Sequence, residues 1–296
     1  MSNPPKRLSF RRDGQVPGER SVCVEVMDTS AHHIVSRFEH AGLRLKVSDR
    51  PLVSVGTDAI VQLDISRARS KHDEGFRLWP GHASNRIEVQ GVERARTQLV
   101  LMVHEPRRRF EVETSRFAAE RTPGARIVRV KGRRAWLEQF TDERKRHFLC
   151  GLDEQHCFIA QLPEAVSTVA QAHRALRPAE VDEAEREAKS AAIRQGEFFF
   201  VALKEDALKR ALQLARHTTP RARVGIAQGA GWRRVGRPHV AEEVWRIETG
   251  GASEPIVLVR GTVRHPDHKA VRFSQWVRVF QNREASTPPA GVLWVD

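Results

Sequence analysis

The residues best suited to chemistry lie in one short run, Arg264-His265-Pro266-Asp267-His268-Lys269. Alternating positions on either side read as two strands, Ile256–His265 and His268–Phe280, so Pro266 and Asp267 make a two-residue hairpin turn. Proline suits the first central position of a type I turn and aspartate is tolerated at the second, although hairpins favour the mirror-image turns. His265 and His268 then face each other across the ladder, with β-carbons about 4.5–5.5 Å apart. Two imidazoles beside the Asp267 carboxylate could bind a divalent metal, with His239, Glu242 and Glu243 completing the set from the preceding segment. Imidazole with carboxylate suits Zn, Fe, Mn or Ni. With an ion in place, Glu242 or Glu243 would serve as ligand or base, His265 would act beside them, and arginines would clamp a scissile phosphate. No established ligand spacing is matched. Exposed polar turn residues, or a His pair contacting phosphate directly, are the plain alternatives.

A second group, His147, Cys150, His156 and Cys157, could meet across a hairpin, but it lacks the paired Cys-x-x-Cys spacing of zinc ribbons. A cysteine nucleophile served by His147 or His156 has no third group to orient the base. The run from Gly229 to Arg237 resembles a phosphate loop in composition only. Strands rather than a helix are expected after it, and Gly-Lys-Ser/Thr is absent. As a basic loop it suits nucleic acid, with Arg233, Arg234 and Arg237 on phosphates and Trp232 stacking on a base. Arg107, Arg108 and Arg109 follow a strand, and Arg129 and Lys131 share one face of another. Arg264 and Lys269 add charge on the hairpin. Tyr is absent and Phe sits mostly in apolar strands, which argues against a sheet of exposed stacking aromatics. No helix-turn-helix pattern is visible, so backbone and shape would be read rather than sequence.

The elements that must position these groups are strand-like at the start. Val22–Met27, Leu43–Val47, Ile60–Ile65, Arg86–Val92 and Gln98–Val103 read as strands, with one helix from Thr29 or Ser30 to about Ala41. Thr122-Pro123-Gly124 marks a boundary. Phe148–Cys150 and Cys157–Leu162 read as a hairpin. Helices are expected from Pro163 to Leu176, from Pro178 to Gly196 and from Glu205 to His217, and Arg221–Pro238 reads as a loop. The chain is thus expected to be α+β. A flexible basic arm (1–20) precedes a mostly antiparallel, β-rich N-terminal domain (21–113). A hairpin with helices (125–195) and an α+β C-terminal domain with a long hairpin (196–296) follow as one or two smaller α/β units.

The 296 residues carry a net charge of +13, supplied mainly by arginine. Charge is uneven: residues 101–150 carry +6 and 201–296 carry +7, while 151–200 carry −4. Basic clustering of this kind is the footprint of a polyanion partner, and the arginine fork matches phosphate. Three cysteines, Cys23, Cys150 and Cys157, make no disulfide framework, and no apolar run suits a signal peptide or a membrane span. The expected location is the cytoplasm. No organic cofactor is expected; a divalent metal is the one candidate. The first functional expectation is a basic protein bound to DNA or RNA without catalysis. A metal-dependent nuclease or phosphodiesterase comes second, and an assembly component with an acidic protein partner third.

Overall fold

A computed structural model describes residues 31–53, 60–66, 74–215, 218–232, 237–249 and 255–284. The expected N-terminal arm, the strand Val22–Met27 and the tail 285–296 lie outside the described residues. The chain enters as helix α1 (residues 31–40), whose Ile34 and Phe38 are one turn apart and both buried. Strands β1 (Leu45–Val47), β2 (Gln62–Ser66) and β3 (Gly75–Trp79) form a small sheet in the order β1-β3-β2, with β1 parallel to β3. Strands β4 (Arg86–Glu93) and β5 (Gln98–Glu105) start a second sheet. The chain then leaves it to build a third sheet from β6 (Arg109–Ser115), helix α2 (Arg116–Glu120), β7 (Ile127–Lys131) and β8 (Arg134–Phe140), in the order β6-β8-β7. It returns as β9 (Arg144–Asp153) and β10 (His156–Gln161), which complete the antiparallel order β10-β9-β5-β4. Because β5 and β9 pair from Gln98↔Gly151 to Glu105↔Arg144, the third sheet is an excursion from one continuous ladder.

Helices α3 (Val169–Leu176) and α4 (Ala179–Ala188) lead to β11 (Ile193–Gln195) and β12 (Phe198–Ala202). Helix α5 (Glu205–Leu214), β13 (Arg221–Gly225), helix α6 (Ile226–Ala230), β14 (Val240–Ile247), β15 (Ile256–His265) and β16 (His268–Gln281) follow. The fourth sheet is antiparallel with six strands, β11-β12-β16-β15-β14-β13.

Strand alternation sorts the cores. On β5, Leu99, Leu101 and Val103 pack with α1 and the first sheet, while Val100 turns to α3 with Leu149. On β12, Phe198 and Phe200 join the α6 side of the large sheet, and Phe199 and Val201 face α4. One ion pair is sealed inside the second sheet: Arg146 meets Glu105 at 2.5 Å, with side chains 6% and 5% exposed. The other Glu105 oxygen accepts the Val61 N–H at 2.8 Å.

The expectation of an α+β chain with α/β units is overturned. Among the described residues 47% are strand and 22% helix, in four mostly antiparallel sheets and six α-helices. The difference arises where expected helices are short. Thr168 and Gln171 form a reciprocal capping box, so α3 starts at Val169 rather than at Pro163. Helix α4 stops at Lys189, whose φ is +53°, and Ile193–Gln195 form β11 instead of more helix. The stretch expected as a loop before Pro238 holds β13 and α6, and β14 precedes the two strands expected from Ile256. Strand β13 lies at a sheet edge, and its exposed Arg221 and Arg223 give it a loop's polarity.

Candidate metal centre

The hairpin forms as the turn residues require: β15 and β16 pair with His265 opposite His268, and Pro266 and Asp267 lie between them. His239 arrives from the start of β14, which pairs with β15 through Val240↔Arg264. The ligand atoms of His239, His265 and His268 lie within 4.8 Å of one another, so this cluster could hold a metal ion. The rings of His239 and His265 are stacked at 4.2 Å between centroids, and those of His265 and His268 lie 4.7 Å apart.

Carboxylates stand behind two of the rings. Glu197 Oε2 lies 3.3 Å from His239 Nδ1, and Asp153 Oδ2 lies 4.0 Å from His268 Nδ1. Neither contact is a hydrogen bond; a carboxylate that bonded Nδ1 would orient its imidazole and leave Nε2 for an ion. Gly196, in the turn from β11 to β12, marks where those nitrogens converge. A β-carbon built there would sit 2.9 Å from His239 Nε2 and 3.2 Å from His268 Nε2. His239 is 3% exposed, and neither ring nitrogen has a hydrogen-bond partner, since Glu197 lies off the hydrogen-bonding direction. A buried imidazole without a partner is costly, and an ion would satisfy it. His265 differs: its Nδ1 accepts the Asp267 N–H at 3.2 Å, which marks Nδ1 as the unprotonated nitrogen. Loading an ion therefore requires this ring to exchange its turn bond for a metal bond.

Burial, then the neighbouring His239 and His268, pushes His265 down to about 4. Burial also lowers His268, while Asp153 works in the opposite direction. Neutral imidazole is the form that ligates metals.

The crevice has a second wall. The β9–β10 tip brings Asp153 and His156 towards the triad. His156 Nδ1 is 3.1 Å from Glu74 Oε1, and its Nε2 is 3.8 Å from Asp267 Oδ1. Arg237 reaches Asp267 at 3.3 Å, and Arg194 lines the same crevice. The cavity volume of about 100 Å³ leaves room for an ion and a few waters, at about 30 Å³ each.

The other sequence candidates are placed elsewhere. The Glu242 carboxylate bonds to Thr262, and Glu243 holds Arg260 at 2.5 and 3.0 Å. Neither lines the crevice: Glu242 points away from the core that its neighbour Ala241 enters, and the bulge between Ala241 and Glu243 sets Glu243 opposite Arg260. Trp232 stacks on Phe198 at 6.1 Å against the core, so it is not an open stacking surface; Arg233 and Arg234 lie outside the described residues. Arg264 is exposed, and the Lys269 N–H is taken by Glu154. Cys150 sits fully in the core and burial raises its thiol; burial likewise pushes Cys157 up to about 12, so neither is a poised nucleophile. His147 Nδ1 faces the Val166 carbonyl at 3.1 Å, away from both cysteines' roles. Sequence reasoning missed Glu74, Asp153, Arg194 and Glu197; it named His156, but as a partner of the cysteines rather than beside Asp267.

No family model, curated protein or solved structure matches this chain. Its site stands on geometry alone.

Proposed function

We propose that this protein is a metal-dependent hydrolase of phosphate diesters, holding one divalent transition ion on His239, His265 and His268. The carrying observation is the convergence of three imidazoles within 4.8 Å around the sealed, unpartnered His239. Three protein ligands leave a coordination position open, as catalytic rather than structural zinc sites do. An ion there would lower the pKa of a bound water and polarise a phosphoryl oxygen. Asp267, in the turn between two of the ligands, and His156, on the opposite wall, would be the groups to take a proton from that water. Arg194 and Arg237 on the rim supply the charge that a phosphate diester needs. Glu197 and Asp153 would orient ligands rather than react.

The test is metal content after purification without chelators or a histidine tag, followed by hydrolysis of bis(p-nitrophenyl) phosphate. One equivalent of Zn, Mn, Fe or Ni, lost with activity in His265→Ala, is the expected result. Stoichiometric metal with no turnover would leave a structural ion and overturn the hydrolase. No binding of any of the four ions would overturn the centre itself.

A further inference from the structure

The excursion β6-α2-β7-β8 carries ten Lys and Arg against four Glu over residues 107–141. Pairing places its side chains on two faces. Arg134, Trp136, Glu138 and Phe140 of the central strand share one face with Arg109 and Glu111 of β6 and with Arg129 and Lys131 of β7. The opposite face holds Ala135 and Leu137, buried with Ala119 of α2.

Two features distinguish the first face from an ordinary charged surface. Guanidinium groups lie on aromatic rings: Arg129 is 4.0 Å over Trp136, and Arg107 is 4.5 Å over Phe140. Trp136 and Phe140 are four residues apart on one strand, a separation of about 13 Å. Phe140 is 48% exposed, against the expectation that Phe stays in apolar strands. One acid also sits beneath the bases: Glu138 is 5% exposed, whereas its partners Arg109 and Arg126 are 54% and 75% exposed. Glu111 and Glu113 reach the surface beside Arg129 and Arg134, and bases still outnumber acids on this face.

We infer that this face binds single-stranded nucleic acid, with bases stacking on the Arg129–Trp136 and Arg107–Phe140 pairs and phosphates meeting the surrounding arginines. Stacking platforms joined to positive charge are the general solution for strands with unpaired bases. Duplex hides its base faces and offers only phosphates. An acidic peptide uses the charge but leaves the planar pairs without a role. A second copy brings the same sign of charge. The inference is independent of the metal centre.

Fluorescence anisotropy of the full chain, in EDTA, with a labelled oligo(dT) of about 12 nucleotides and a duplex of equal length tests it. The single strand should bind more tightly than the duplex, and affinity should fall steeply as salt rises from about 50 mM. Phe140→Ala and the double variant Arg107→Ala/Arg129→Ala should each weaken binding about tenfold or more. Phe117→Ala on α2 should bind as the unaltered protein does. No binding at low salt, duplex bound as tightly as single strand, equal competition by polyglutamate, or unchanged affinity in the folded face variants would each overturn the inference.

Discussion

Both carboxylate oxygens of Glu154, at the tip of β9–β10, accept the backbone N–H of Lys269 at 3.1 Å, at the tip of β15–β16. This contact spans 115 positions in sequence and fixes one hairpin against the other. Asp153 and His156 flank it and face His268 and Asp267. The crevice therefore exists because two hairpin tips from different sheets are tied together. Glu154→Ala should cost about 1 kcal/mol of stability, since the bond is charge-assisted but exposed. It should weaken metal binding only a few-fold, as no ligand is removed. Chemical denaturation and calorimetric titration with Zn²⁺ measure the two effects.

An ion bound to the folded state stabilises it by mass action, by about 2.7 kcal/mol at a hundredfold excess over Kd. For a chain of this size that raises Tm by roughly 4–5 °C. The shift should vanish in His239→Ala, His265→Ala and His268→Ala. A thermal scan with and without metal suffices to check it.

Gly196 has φ +56°, and a side chain there would press on His239 at 2.7 Å. Gly196→Ala is expected to cost about 1–3 kcal/mol, because both the backbone and the packing are strained. Metal affinity should fall more than tenfold while the far sheet β6-β8-β7 keeps its ligand affinity. Equal metal binding by the folded variant would show that the histidine nitrogens do not converge on this position.

Glu105 and Arg146 form a buried pair, each side chain almost wholly shielded from water. Glu105→Ala leaves a buried guanidinium and an unbonded Val61 N–H, and should cost about 3–5 kcal/mol in urea unfolding. Replacing both residues by apolar side chains should recover much of that loss.

His173 gives the fold an acid limit. Its Nε2 lies 2.7 Å from Gln98 Oε1, and Arg194 donates to Nδ1 at 3.0 Å. Burial, then Arg194 and Arg96, push it down to about 4 from an ordinary 6.5. The unfolded chain therefore binds the extra proton first as pH falls. Stability should be unaffected by this group above pH 6.5, decline as pH drops through 6.5, and reach its full loss below about 4. His173→Gln should flatten that part of the profile in unfolding measured from pH 7 to pH 4.

The sequence by itself determined the hairpin that carries the site. The two-residue turn Pro266–Asp267 places His265 opposite His268, and bulges at Val263/His265 and Val259/Gly261 shift the register beyond it. It also determined most early strands and the basic character of the excursion, where Arg129 and Lys131 share a face as their spacing requires. Tertiary structure alone decided which carboxylates serve the imidazoles. Glu242 and Glu243 are near His239 in sequence, yet strand alternation turns Glu242 away and Arg260 holds Glu243. Glu197 and Asp153 come from a turn and a hairpin tip far away in the chain. Strand order also joins β12 to β16 and β14 to β15, so Gly196 and His239 meet beside the tip of β15–β16. Local periodicity reports which way a side chain points relative to its own strand. It carries no information about which other strand lies across the crevice, because that is set by how the sheets pack.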